Sequence, residues 1–403
     1  MMCLPGSFCV RIFVSSRSAF SLLCVWASLL GALSICGQGT AVQTAAELDK
    51  LESAAKTDQA TGNLKGTAKT LIQAGDISFH NLDYARALES YGHAAEAARA
   101  ANDAALEAAA LNGMGNCDRA QRQNDKALAE FQKALDAAKA AGDEREQAIA
   151  LNGMGWVQSN IGKTQEALEL HTKALTLAER LGDAGLTGTI LRRLGIVNDD
   201  LGEEQKALEF YGRALPLLRA AGDREGEANT LNNCGIVYAE IGDKARALDY
   251  YNQALPVWRA AGVRGGEAGT LVNLGILYNG QGEKQKALAS YNQALPLLRA
   301  AGNRAAEASA LVNIGNVYSD LGEKRRALDY YNQALAIQRK TGAQSAEAGT
   351  LNNIGAVYSE LGEKQKALEY YQQALPLWVA AGRRRGQATT LNAMGTVYDD
   401  LGA

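Results

Sequence analysis

Histidine, cysteine and proline are scarce in this chain, and each scarcity removes a class of explanation. The three histidines, His80, His93 and His171, have no metal-type partner at useful spacing, so no metal site is written into the sequence. Of six cysteines, four fall within the first 36 residues, leaving Cys117 and Cys234 beyond them. That is too few for a disulfide framework, and their apolar surroundings read as those of buried thiols. No glycine-rich phosphate loop follows a strand, because no segment reads as a strand. Charge of either sign is not in excess: the net value is −3 over 403 residues, which gives no electrostatic reason to expect a nucleic acid partner. Adjacent acids such as Asp199-Asp200 recur on a repetitive surface and carry no catalytic signal. The reading is of a chain without catalytic residues, metal or cofactor.

Residues 1–41 stand apart from the rest. Arg11 and Arg17 precede Ala19–Cys36, a stretch without charge, and Gly39-Thr40-Ala41 supplies small residues at a cleavage position. This is the layout of a secretory signal, so the chain is expected to be exported to a periplasm or beyond the cell. The alternative is an uncleaved membrane anchor formed by residues 19–36. Residues 42–65 read as a polar helix and turn, suited to capping the region that begins at residue 66.

From residue 66 the chain is a repeat. Gly75, Gly115, Gly155, Gly195, Gly235, Gly275, Gly315, Gly355 and Gly395 stand forty residues apart, with a leucine four residues before each. A second series runs Ala87, Ala127, Ala167 through to Ala367, and a third lies seven residues later, from Ala94 to Ala374. A slip of one residue would turn a helix by about 100° and misalign its apolar face, so an uninterrupted register marks one physical unit, stacked. Within a unit, Leu271, Leu274 and Tyr278 share one helix face, and Leu288, Tyr291, Leu295 and Leu298 share another. Gly282 and Gly302 stop the two helices. Asn303 is placed to cap the next helix, and Asp143 with Glu146 reads as a capping box.

Pro216, Pro256, Pro296 and Pro376 share one position within the second helix, where Asp136, Thr176 and Ala336 stand in other units. Proline there is tolerated, not required. Each frees one carbonyl four residues earlier, which is survivable where water reaches that face, and is expected to bend the helix around the stack. A hinge is the functional alternative.

The pattern L-x-x-I/L-G-x-x-Y followed by A-L-x-x-Y-x-x-A-L resembles the tetratricopeptide repeat, in the forty-residue form of the Pins and kinesin-light-chain type. It is also similar to arrays that precede caspase-like CHAT domains in bacterial proteins. Leu271 occupies the family's tryptophan position; Gly275, Tyr278, Ala287, Tyr291 and Ala294 match other signature sites. The resemblance covers residues 66–403, about eight and a half repeats. It implies an all-α fold, a right-handed α-solenoid of antiparallel helix pairs, with the first helix of each pair lining a concave groove.

On that pattern, positions two before and one after the signature glycine face the groove. Asn233, Asn273, Asn313 and Asn353 form a ladder at the first; Asn316, Ile236 and Ile276 stand at the second. Asn side chains both donate and accept, so such a ladder can grip a peptide backbone whatever its sequence; a repeat-to-repeat structural ladder is the other reading. Arg192 and Arg193 interrupt the series and could capture a carboxylate, or be two solvated arginines. The family's clamp for chaperone carboxyl termini is not reproduced, since Asn232, Val272, Val312 and Asn352 stand where a lysine would help. Acids late in the first helix (Asp200, Glu240, Asp320, Glu360, Asp400) and lysines early in the second (Lys244, Lys284, Lys324, Lys364) are expected to pair locally across the turn. His171 replaces the second-helix tyrosine and reads as packing.

These residues imply a scaffold that binds a protein or peptide segment. The alternative is the regulatory array of a larger effector, such as a CHAT-type peptidase. Leu401-Gly402-Ala403 follow a ninth first helix without its second. The expectation is a truncated frame or a lost further domain, with Met394, Val397 and Tyr398 short of cover and self-association through that end.

Overall fold

The computed structural model describes residues 33–402, with side chains from residue 45. Expectations for residues 1–32, including Ala19 and most of the apolar leader, lie outside the described residues. Leu33–Ala41 begin the first helix, α1 (Leu33–Ala60). Among the described residues there are eighteen helices and no strand. No described helix is long and apolar enough to cross a membrane.

After α1 the helices alternate between two series. The A helices are α2 (Leu64–His80), α4 (Ala104–Ala120), α6 (Glu144–Asn160), α8 (Ala184–Asp200), α10 (Arg224–Glu240), α12 (Arg264–Gly280), α14 (Arg304–Asp320), α16 (Gln344–Glu360) and α18 (Arg384–Leu401). The B helices are α3 (Tyr84–Ala100), α5 (Asn124–Ala141), α7 (Thr164–Leu181), α9 (Glu204–Ala220), α11 (Lys244–Ala261), α13 (Lys284–Ala300), α15 (Lys324–Thr341) and α17 (Lys364–Ala380). The chain is thus an α-solenoid of helix pairs. It divides into two compact units, one ending at Asn233 and the other starting at Cys234, with the division inside α10.

A left-handed residue recurs every twenty positions, once per turn, from Gly62 (φ +78°) to Gly402 (φ +71°). This conformation reverses the chain after each helix and is nearly free of cost for glycine alone. Leu82, Asn102 and Arg122 adopt it without being glycine, at φ 64°, 51° and 61°. The next helix is then capped: Asn303 Oδ1 accepts from Ala306 N at 3.1 Å, and Asp143 Oδ1 from Glu146 N at 3.0 Å. The reciprocal half of the capping box is not made. Glu146 Oε2 instead accepts from Asn112 Nδ2 of the preceding A helix at 2.8 Å.

The core of each pair is a ring laid on a glycine. A Cβ on Gly275 would stand 2.4 Å from Tyr291, and one on Gly195 would stand 2.3 Å from Tyr211. The ring packs here because glycine lets the helices approach closely. Both alanine series are fully buried along their whole length. The B-helix ring also meets the following A helix: Tyr91 lies against Gly75 and Gly113, and Phe131 against Gly115 and Gly153. One side chain therefore joins three helices, coupling each pair to the next. Trp258 is fully buried against Gly266 and donates from Nε1 to Thr270 Oγ1 at 3.0 Å.

The prolines sit where water can replace what they remove. Pro216, Pro256, Pro296 and Pro376 are exposed, as are Gly212, Asn252, Asn292 and Gln372, whose carbonyls they free. Their helices run through them unbroken.

At the two ends, α1 packs on α2, burying Leu48 and Ala55. Arg86 of α3 reaches Glu52 of α1 at 2.8 Å. In α18, Val397 is buried beside Met394 and Leu368, contrary to the expectation that it lacks cover, because α17 and Tyr358 of α16 close over it. Leu391 and Tyr398 are exposed.

Candidate functional site

Within each unit, A helices touch the next A helix along the stack, as α2 does α4, α4 does α6, and α12 does α14. Among the described residues B helices make no such contact with one another. A stack whose A helices are closer together than its B helices curves with the A faces on the inside, so these faces form the inner wall of each unit.

The sequence-predicted positions lie on the A helices, and two of them, Asn316 and Asn353, touch each other. Tyr331 donates to Asn316 Oδ1 at 2.7 Å, and Asn353 Nδ2 reaches the same oxygen from the next A helix at 3.1 Å. Tyr91 donates to Asp76 in the same way at 2.6 Å. In Asp76 and Asn316 the residue one after the glycine thus receives the B-helix hydroxyl of its own pair, and Asn316 also the amide of the next. Asn273 and Asn313 are buried, and Asn233 and Asn353 half-buried. Asn313 Nδ2 is buried without a hydrogen-bond partner. Ile236 is buried, and Ile276 is half-buried against the core.

Arg193 is not solvated: it is 8% exposed, with its guanidinium carbon 3.1 Å from the centroid of the Trp156 ring. Arg119 lies 3.5 Å from the same centroid. Two guanidinium groups that close to one centroid cannot share a face, so the indole is held between them, and α4, α6 and α8 each contribute one layer. Arg119 is strongly desolvated, which lowers its pKa to about 10. Beneath lies His171, fully buried, its pKa lowered to about 3 by burial first and by Arg193 and Arg192 second. Both of its ring nitrogens lack a hydrogen-bond partner, so it fills the tyrosine position as a neutral ring.

Several ties were invisible to the repeat pattern. Three lysines of the ladder reach forward to an acid of the next pair. Lys284 reaches Asp320 of the next pair at 2.5 Å, while its local partner is the Asn279 amide oxygen at 2.8 Å. Lys324 reaches Glu360 and Lys364 reaches Asp400 in the same manner. For Lys324 and Lys364 the preceding acid lies on the helix just left, whereas the following one faces the lysine across the stack. Arginines at B-helix ends pair with a glutamate eight residues on: Arg219 with Glu227, Arg259 with Glu267 and Arg299 with Glu307, at 2.6–2.7 Å. That spacing is readable in the sequence once the turn length is known. Asn352, which stands where the family's clamp would have a lysine, exchanges hydrogen bonds with Thr390 at 2.8 and 3.0 Å.

The thiols of Cys117 and Cys234 are buried. Burial pushes both up to about 12, so they stay protonated at neutral pH. Among the described residues no group of three or more His, Cys, Asp or Glu side chains is placed to hold a metal ion.

Stacked helix pairs with a lined inner wall define a solenoid of protein-interaction repeats. The chain belongs to the tetratricopeptide repeat family, whose model matches residues 106–180, 146–220, 186–260, 266–340 and 346–403. No curated protein matches it. Solved structures do, at low identity. The signal transduction ATPase with a tetratricopeptide repeat sensor from Pyrococcus horikoshii gives a TM-score of 0.63 at 14% identity, over 85% of this chain and 55% of that one. The apo quorum sensor NprR from B. thuringiensis gives 0.61 at 14% identity, over 83% and 99%. The Rap conjugation gene regulator of plasmid pLS20, solved in complex with the Phr* peptide, gives 0.53 at 14%, over 85% and 96%.

Proposed function

We propose that this chain is an exported scaffold whose A-helix wall binds an extended or helical segment of a partner protein, and that it is not an enzyme. The observation that carries this is the asymmetry of the stack: only the A helices converge, giving each unit one continuous inner wall with amides and apolar side chains along it. A peptide-bound protein among the structural neighbours supports the same use of the fold. Polar amides fix a peptide backbone while apolar neighbours bury its side chains, the usual division of labour in peptide recognition.

The test is site-specific photo-crosslinking in the native exported fraction. Crosslinkers at Ile276 and Asn273 should capture a partner, and one at Pro296 on an exposed B-helix face should not. Equal capture from both faces would overturn the reading. Replacing Asn273, Asn313 and Asn353 with Ala should abolish capture and leave helicity intact; lost helicity would make the ladder structural. Export itself is tested by cell fractionation and the N-terminal mass of the mature chain, with retention in the membrane pointing to the anchor formed by residues 19–36.

A second reading makes the array the sensor of a larger effector. It is supported by the similarity to a repeat sensor that is part of a longer ATPase, and the gene sequence beyond Ala403 tests it. Self-association through α18, which exposes Leu391 and Tyr398, is tested by concentration-dependent light scattering.

A further inference from the structure

Three consecutive turns of the unit starting at Cys234 carry an exposed leucine. Leu321, Leu361 and Leu401 close the A helices α14, α16 and α18, each one residue before a left-handed glycine, and each is 42–49% exposed. One repeat earlier Gln281 holds this position and separates the run from Ile241. Successive A helices touch, so equivalent residues on them lie about 8–10 Å apart, one interaxial distance. The leucines therefore form a row along the edge that the A-to-B turns make. Leu401 borders an open hollow together with residues 362–366 of the turn before it.

These side chains lie outside the core clusters of the unit, and an aligned set of apolar tips marks an interaction edge. The surrounding acids are already held by the chain's own bases. Asp320, Glu360 and Asp400 each take a lysine of the pair before, and Glu323 and Glu363 are bound by Arg326 and Lys366 three residues on. Acids neutralised in this way offer a basic partner little attraction. They also do not repel a copy of the same edge, as a row of unpaired acids would. A second copy matches the spacing of the row by construction, because its rise from pair to pair is the same. A run of three closes about its middle member: turned by a two-fold axis, Leu361 meets Leu361, and Leu321 meets Leu401 on both sides.

We propose that this turn edge is a contact between two copies of the chain, with the row of Leu321, Leu361 and Leu401 lying antiparallel on its counterpart. The row is narrow beside the roughly 1,200–2,000 Å² of a stable interface, so the dimer is weak and concentration-dependent. It uses the ends of the A helices, independently of the peptide binding proposed for their inner faces and of Leu391 and Tyr398 on α18.

The test is sedimentation velocity of the full chain from about 1 µM to about 1 mM, the range of weak association, where a monomer–dimer equilibrium should appear. Leu361→Glu sets two carboxylates against each other on the axis and should abolish the dimer, with the circular dichroism spectrum unchanged. Leu321→Glu and Leu401→Lys should each weaken it at least about tenfold. An equimolar mixture of those two variants should restore it, since the introduced acid then faces the introduced base, a rescue that a purely structural role for the leucines would not give. Leu391→Glu, on the open face of α18, should leave the dimer as it is. A chain that stays monomeric throughout overturns the proposal. So does a dimer lost in Leu391→Glu and kept in Leu361→Glu, which moves the contact to α18. A monomer that cosediments with phosphatidylcholine–phosphatidylglycerol vesicles, and loses this in Leu361→Glu, makes the edge a lipid contact instead. None of these outcomes bears on the scaffold reading, which the crosslinking experiment decides.

Discussion

A glycine's value in this chain depends on what lies opposite it, and the nine signature glycines show that well. Eight face a B-helix ring at distances no Cβ could share, while Gly395 has nothing within 4 Å. Gly275→Ala should therefore displace Tyr291 and cost about 1–3 kcal/mol, whereas Gly395→Ala should cost nothing or gain up to about 1 kcal/mol of helix propensity. Urea titrations of the two variants make the comparison. Leu82 offers the reverse case: it is left-handed at φ 64° and 68% exposed. Leu82→Gly should stabilise by about 1 kcal/mol, because strain is removed and little burial is lost. His171 brings a pH dependence. Its folded pKa lies near 3, below the value of about 6.5 for an unfolded histidine. The unfolded chain therefore binds the extra proton first, and this residue's contribution is complete above about pH 6.5 and lost as pH falls toward 3. His171→Phe, compared with the parent over that window by thermal melts, should show the shallower decline.

At the scale of the helix, what matters is how each end is closed and how each interior fault is tolerated. Asp183 accepts from Leu186 N at 3.0 Å, and that backbone bond is the main reason its carboxyl is held below the ordinary range. Asp183→Ala should cost about 1 kcal/mol at neutral pH. With a depressed folded pKa, that contribution is present above the unfolded value of about 3.9 and disappears below it, so the variant and parent curves should converge in acid. The exposed prolines allow the opposite experiment. Pro296→Ala restores a donor for the free Asn292 carbonyl and should stabilise by about 1–3 kcal/mol, measured by thermal melting. Helix boundaries were legible from the forty-residue register, since every turn needs its left-handed residue. The partners of Lys324 and Lys364 were not, because an acid one turn away and an acid one repeat away look alike in a linear string.

Among the described residues of each unit, contacts pass only from one pair to the next, so the stability of a unit should behave as a sum of pairs and their interfaces. Deleting residues 264–303 removes one full period and joins Val263 to Arg304 in register. Helicity per residue, read by circular dichroism, should be unchanged. Deleting residues 264–283 instead places two B helices in succession, leaves Tyr291 without Gly275, and should lower it.

The forty-residue period by itself determined the helix pairs, their turns and the family, because a register that never slips permits only one way of stacking. Which wall-facing side chains meet was decided by tertiary structure alone. Asn353 reaches Asn316 across 37 residues of chain, and Arg119, Trp156 and Arg193 come from three successive pairs. Such contacts depend on how far each pair turns relative to the last, a rotation set by the packing of rings and alanines and carried by no single residue.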